Sequence, residues 1–349
     1  MKEHGVRVGL VIPLQGPAGL FGPSCEAVAE TAVRRINRSG LLGAPVSLEV
    51  IDGGAPPSQV AAEVSRLIVL GRIDGVTGWH ISAVREALAP VTVGRVPYVY
   101  TSIYEGGEAR EGVFCTGETP VRQVAPALRW MRDELDLRRW YVVGDDYIWP
   151  RRSVARTREY VRELGLTLSG ISYVPLGTQE FSAVLRSLEV SDAQGVLVYL
   201  VGQDAVHFNR AFAARGLHER MVRLTPLMGE SVLLASGAES TRELYSSAAY
   251  FRSLATTDAL DFGRDYVEQH GPDAPPLNNA AESCYEGLMA LAALGRRAGS
   301  LELRPVLRHA AEAGYDGPRG AMAFRGNHLQ QRVHLARADA YDFDVVAAL

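Results

Sequence analysis

The chain has 349 residues, 47% of them hydrophobic and 22% charged, with a formal net charge of -4. That length is too great for one ordinary core and predicts two domains, while the small charge and the scatter of arginines along helical stretches exclude a polyanion-binding face. One lysine, Lys2, occurs in the whole chain, which removes a P-loop, a Schiff base and an internal lysine-assisted nucleophile from consideration.

The opening "MKEHGVRVGLVIP" has no long apolar leader region and runs straight into the strand "VRVGLVIP". This predicts a cytoplasmic protein if the chain is complete, and an extracytoplasmic one if a leader was removed. A helical pattern follows from about Ser24 to Asn37 and stops at Ser39-Gly40. Next come strand "VSLEVID", a helix through "SQVAAEVSRLIVLG", the short strand "DGVTG", helix "SAVREALAPVTVG" and strand "VPYVYTS". After "GVFCTG" the alternation restarts. Helix "RQVAPALRWMRDEL" leads to strand "RWYVVG", helix "RRSVARTREYVRELG", strand "ISYVPL", helix "FSAVLRSLEV", strand "GVLVYLV", helix "AVHFNRAFAARGL" and strand "VRLTPLM". Continuous apolar strands alternating with amphipathic helices predict parallel sheets covered on both faces.

Two such sets predict two α/β lobes. Past "AAYFRS" the pattern turns helical, and the end reads as extended strands about a turn at Gly326-Asn327. A tail returning to both lobes accounts for the lack of a Pro/Ser/Gly-rich linker. No stretch reaches the roughly 18 uninterrupted apolar residues of a spanning helix. Cys25, Cys115 and Cys284, odd in number and widely spaced, fit reduced thiols better than a disulfide framework. Neither CxxC nor HExxH occurs, so no zinc is implied.

Open parallel sheets collect ligands at the carboxyl ends of their strands, and the unusual residues lie there. "WHIS" supplies Trp79, His80 and Ser82; "VPYVYTSIYEGG" supplies Tyr100, Thr101, Ser102 and Tyr104. "GDDYIWP" adds Asp145, Asp146, Tyr147 and Trp149, and "LTPLMGES" adds Thr225, Met228 and Glu230. Together they describe a cleft for a compact, mostly uncharged ligand with one polar end. Ser82 begins a helix, so its hydroxyl and the neighbouring N–H groups suit an anion or a carbonyl oxygen. Each residue also has a plainer reading. Ser82 is equally an N-cap, Tyr100 a core tyrosine, and Asp146 a charge for the first turn of a helix near Pro150. Glu230 caps the next helix or meets a ligand ammonium. His80 suits a base, but no Ser or Cys nucleophile with an ordered acid partner is visible, and a non-enzymatic role is expected. "LQGPAGLFG" does not fit GxGxxG, so no dinucleotide or other cofactor is implied.

"GLVIPLQGPAGLFGPSCEAVAETAVRRINRSGLLG", followed by "VSLEVIDGGAPPSQVAAEVSRLI", resembles the opening of type I periplasmic binding proteins of the branched-chain amino acid class. The likeness runs through "YDGPRGAMAFRGNHL" near the end. Within that class "VYTSIYEGGE" and "GDDYIWPRRSVAR" are similar to the branch that binds short-chain amides and urea, which includes urea transport receptors and a cytoplasmic amide sensor. The resemblance implies two Rossmann-like lobes joined by three crossovers and closing about a hinge, with residues 1–120 plus 251–325 in one lobe and 121–250 plus 326–349 in the other. It places Ser82, Tyr100, Ser102 and Tyr147 at the ligand, with Tyr104, Trp149 and His80 nearby. His80 stands where the amide sensor has an aromatic residue, and Asp145 where it has a small polar one. "MGES" looks closer to the amino acid binders, where an acid, here Glu230, takes the ammonium. Amide, urea and amino acid remain open as ligands. An ABC permease or a regulatory protein is implied as partner, and no nucleic acid.

Overall fold

Val6–Ile12 (β1) is a seven-residue strand whose last five side chains are buried, as an apolar run between two other strands requires. The computed structural model describes residues 5–349; Lys2 lies outside them. After a 3₁₀ turn at Pro17–Phe21, helix α1 (Gly22–Ser39) starts two residues earlier than its apolar periodicity suggests and ends on Gly40 in the left-handed region. There follow β2 (Val46–Asp52), α2 (Pro57–Val69), β3 (Gly75–Gly78), α3 (Ser82–Thr92), β4 (Tyr98–Tyr100) and β5 (Val113–Cys115). The second run comprises α4 (Pro120–Leu135), β6 (Arg139–Asp145), α5 (Ile148–Glu163), β7 (Thr167–Val174), α6 (Ser182–Val190) and β8 (Gly195–Tyr199). It continues with α7 (Gln203–Ala214), β9 (Val222–Thr225), α8 (Glu230–Ser236) and β10 (Leu244–Ala248). Then come α9 (Thr257–His270), α10 (Asn279–Ala298), α11 (Leu303–His309), β11 (Gly314–Gly317), β12 (Gly320–Arg325), β13 (His328–Leu329), β14 (His334–Asp339) and β15 (Asp342–Ala348).

These elements form two units. The first holds the residues up to Ser102, Gly107–Gly117 and Ala255–Gln331; the second holds Ile103–Gly106, Glu118–Leu254 and Arg332–Leu349. The first sheet has the order β11-β12-β13-β5-β4-β3-β1-β2 and the second β15-β14-β10-β9-β8-β6-β7. The central pairs are parallel, as expected: β1 with β2 and β3, β3 with β4, β6 with β7 and β8. The edges built by the returning tail are antiparallel, namely β11–β12, β12–β13, β10–β14 and β14–β15. Each sheet is therefore mixed and not wholly parallel. Short hairpins can close at an edge without a crossover helix.

Two further departures have local causes. β9 ends at Thr225 and does not reach Met228, since Pro226 cannot donate to a ladder. β10, "LYSSA", is fully buried yet carries too little apolar character to announce itself. It pairs with both β9 and β14, which covers its two edges. In the first unit α10 is buried from Asn279 to Gly295, and Gly287 lets it lie directly on β3: a Cβ there would meet Thr77 Oγ1 at 2.2 Å. Its two buried acids have partners, Glu282 in Arg319 at 2.5 Å and Glu286 in the Tyr315 hydroxyl. Among the described residues no helix is long and apolar enough to cross a membrane. Cys25, Cys115 and Cys284 are buried and form no disulfide.

Candidate functional site

In the first unit, β3 ends on Gly78, whose φ of 127° and whose approach to Val11 O, 2.3 Å from where a Cβ would sit, admit only glycine. The chain then turns through Trp79 and His80 into α3. Trp79 packs edge-on against Phe21 with ring centroids 4.9 Å apart. His80 is fully buried, its Nδ1 lying 3.1 Å from Val11 O and its Nε2 2.6 Å from the Tyr98 hydroxyl. A neutral ring satisfies both: Nδ1–H donates to the carbonyl, and Nε2 accepts from Tyr98. Burial drives the imidazole pKa down to about 4, against the pull of the Val11 hydrogen bond, and the Arg85 charge lowers it further. His80 thus serves the scaffold with both ring nitrogens.

Ser102 is used in the same way. Its hydroxyl accepts from His80 N–H at 2.9 Å and donates to His80 O at 2.6 Å, tying the segment after β4 to the start of α3. Gly117 makes this possible, because a Cβ there would stand 1.9 Å from Ser102 O. Ser82 differs. It is the first residue of α3, but the N-cap is Ile81 and no side chain caps the helix. The Ser82 hydroxyl instead lies 3.4 Å from the Tyr100 hydroxyl. Both residues are buried. The Arg85 guanidinium sits 5.4 Å from the Tyr100 ring centroid, and its Nε lies 3.2 Å from Glu108. One face of the tyrosine is thus held by a cation that has its own carboxylate. The strand ends of this unit therefore present two hydroxyls beside the first turn of an eleven-residue helix, an arrangement suited to a carbonyl or carboxylate oxygen. A groove of about 610 Å³ lined by Val6, Ile73, Asp74 and Val96 opens at the opposite, amino ends of these strands.

In the second unit, β6 ends on Asp145, and Tyr147 is the N-cap residue of α5 in an extended conformation. Its N–H donates to Asp145 O at 3.0 Å, and its half-buried ring lies 6.3 Å from that of Trp149. Trp149 is buried edge-on against Tyr199 at 5.4 Å. Asp146 pairs with Arg151 at 2.5 Å on the exposed side of the turn, outside the first turn of α5. Tyr104 is buried, with its N–H on Glu118 O at 3.0 Å.

Glu230 begins α8 and is buried; its Oε1 accepts from Arg252 N–H at 2.7 Å. Burial pushes its carboxyl up to about 7, against that hydrogen bond. Glu230 therefore braces the loop after β10, and its carboxylate also takes its own backbone N–H at the start of α8. Sequence reasoning missed Asp204, which lies buried beside Asp145, and Arg223, which is buried among Asn209, Ser240 O and Arg242 O. An acid right after the apolar run of β8, in "VGQD", was the available signal for Asp204. Among the described residues no group of three or more His, Cys, Asp or Glu side chains is placed to hold a metal ion.

Comparison with proteins of known structure covers nearly the whole chain. An ABC transporter substrate-binding protein from Sphaerobacter thermophilus is 21% identical with a TM-score of 0.84, covering 99% of this chain and 97% of that one. LivJ from Streptococcus pneumoniae, solved with isoleucine, is 16% identical with a TM-score of 0.85 over 99% and 98%. A solute-binding protein from Rhodopseudomonas palustris, solved with p-hydroxybenzoic acid, is 17% identical with a TM-score of 0.86 over 99% and 96%. Among curated sequences, a Leu/Ile/Val-binding protein homolog of Brucella melitensis is 25% identical over 232 residues, 65% of this chain and 61% of that protein. The matched stretch thus spans less than two thirds of that relative's length. A profile described as periplasmic binding protein matches residues 5–342, and the chain belongs to that family.

Proposed function

We propose that the protein is a solute-binding protein of the kind that serves ABC uptake, and that it captures a small molecule by a carboxylate end. The observation that carries this reading is the pairing of the Ser82 and Tyr100 hydroxyls at 3.4 Å beside the N-terminus of α3. Hydroxyl and amide donors converging on one point bind an oxygen anion without a counter-charge. Arg85, already partnered by Glu108 and Glu86, fixes the tyrosine and leaves the site near neutrality. The relatives named above include Leu/Ile/Val-binding proteins and structures holding isoleucine and p-hydroxybenzoic acid. All of those ligands carry a carboxylate on a largely apolar body, which supports a branched-chain amino acid or an aromatic acid here. Within the second unit, Tyr104, Tyr147 and Trp149 are proposed as its own aromatic ligand contacts, the last two with ring centroids 6.3 Å apart.

A second reading, a short-chain amide or urea, is favoured by Glu230. An amino acid needs an acid for its ammonium, and one oxygen of Glu230 is committed to Arg252 N–H. In the amide reading Ser82 and Tyr100 grip a carbonyl, and Glu230 remains a brace. One experiment separates the readings: thermal-shift measurement on refolded, ligand-free protein with isoleucine, p-hydroxybenzoate, acetamide and urea. Ligand at 100 times its Kd adds about 2.7 kcal/mol of stability. A shift with isoleucine or p-hydroxybenzoate that is lost in Ser82→Ala supports the first reading, and a shift with acetamide or urea alone supports the second. No shift with any of the four refutes both.

A further inference from the structure

Asp145 and Asp204 are buried carboxyls at the carboxyl ends of β6 and β8, with 0% and 1% of their surface exposed. Each takes one backbone amide from a different loop. Asp145 Oδ2 accepts Val201 N–H at 2.8 Å, and Asp204 Oδ2 accepts Gly177 N–H at 2.6 Å. Thr178 N–H also faces Asp204. Asp145 Oδ1 has no amide or hydroxyl donor, yet the two carboxyls lie within hydrogen-bonding reach of each other. Two carboxylates cannot bond to one another, but a carboxylic acid and a carboxylate can. The charged groups acting on the pair are the two acids themselves and His207 on α7.

We propose that Asp145 and Asp204 share a single proton, and that this bond clamps the β6, β7 and β8 strand ends so that Tyr147 is held ready for a ligand. The bond closes a ring of loops. Asp145 reaches the segment after β8 through Val201, and Asp204 reaches the segment after β7 through Gly177. The latter is tied back to β6 because Asp146 N–H donates to Val174 O at 2.7 Å. Tyr147 follows directly, its own N–H on Asp145 O. Burial and the charge of Asp204 push the Asp145 carboxyl well above its ordinary value. Asp204 is raised by burial but accepts more donors, so it is the partner that carries the charge. Both acids are positioning residues: neither touches the ligand in this scheme. The role assigned to Tyr147 rests on the proposed function; the shared proton does not.

The sign of the pH effect follows from the direction of the shift. A carboxyl whose folded pKa is raised above its unfolded value of 3.8 holds its proton only in the folded state between the two, so stability falls as pH rises across that window. Ligand-free wild type and Asp145→Asn are to be compared by urea unfolding from pH 5 to pH 9. Asparagine keeps a donor toward Asp204 but cannot titrate. The wild-type midpoint is expected to fall steadily relative to the variant as pH rises; parallel profiles overturn the shared proton. Amide exchange at pH 7 then reads the clamp. Asp145→Ala is expected to speed exchange at least tenfold in peptides covering 145–151, 175–178 and 200–204, with Asp145→Asn within threefold of wild type. Equal protection in Asp145→Ala and wild type overturns the clamp, and the pH comparison stands if the alanine variant does not fold. Neither arm requires a ligand, so failure of the thermal-shift screen is distinguishable from failure here.

Discussion

Protonating His80 should unlock the first unit, and the size of the effect can be worked from its surroundings. The ring is fully buried, donates to Val11 O and accepts from Tyr98, and has its pKa lowered from 6.5 to about 4 by burial, with Arg85 adding to the depression. A folded-state pKa below the unfolded one means that the unfolded chain takes up the proton first. Stability is then fully present above pH 6.5 and is lost as pH falls toward 4. At 1.36 kcal/mol per unit the complete loss is roughly 3 kcal/mol, of which about 2 kcal/mol falls between pH 7 and pH 5. His80→Gln removes the titration while leaving a polar side chain near Val11 and Tyr98. Urea unfolding of wild type and variant at both pH values gives the difference of differences, in which the intrinsic cost of the substitution cancels. Wild type should lose about 2 kcal/mol more than His80→Gln on acidification. An equal loss in the two proteins would show that His80 is not held neutral, and the scaffold role assigned to it would fall.

Ser82→Ala should weaken binding of whichever probe the wild type accepts by at least fivefold, since one buried hydrogen bond to a ligand contributes about 1 kcal/mol or more; titration calorimetry checks it. Tyr147→Ala should lower the same affinity several-fold, because the half-buried ring beside Trp149 is assigned to the ligand in the proposed function. Arg223→Met should cost about 2–4 kcal/mol in urea unfolding, as it leaves Asn209 Oδ1, Ser240 O and Arg242 O without their shared donor. Gly287→Ala should cost about 1–3 kcal/mol by pushing α10 off β3, given the 2.2 Å separation from Thr77 Oγ1.

The parallel cores of both sheets were legible because "VRVGLVI" and "GVLVY" are apolar without a break, the mark of strands covered on both faces. β10 was not legible for the opposite reason. "LYSSA" is buried through its position between β9 and β14 and not through its own hydropathy: Ser246 donates to Met228 O, so a polar side chain is accommodated where an apolar one is expected. Of the antiparallel edges, the hairpin of β12 and β13 was legible through its turn at Gly326-Asn327, while the pairing of β14 with β10 was not, since periodicity reports which face of a strand is covered and says nothing about the direction of its neighbour.

At the candidate site, residue type and strand-end position single out Ser82 and Ser102 equally, and the structure separates them. Ser102 spends its one donor and an acceptor lone pair on the backbone of His80, so a ligand recruiting that hydroxyl must break a bond that fixes the start of α3. Ser82 faces the Tyr100 hydroxyl at the long distance of 3.4 Å, so the two hydroxyls lie close enough to meet one ligand oxygen. The same logic divides the acids. Glu230 and Asp145 both close strand-end loops through backbone amides, at Arg252 and at Val201, and burial raises both carboxyls. Acids that look like ligand contacts in the sequence therefore act first on loop geometry. Under the proposed function, recognition falls to hydroxyls and aromatic rings, and the buried acids, through Arg252 and Val201, hold the loops beside them.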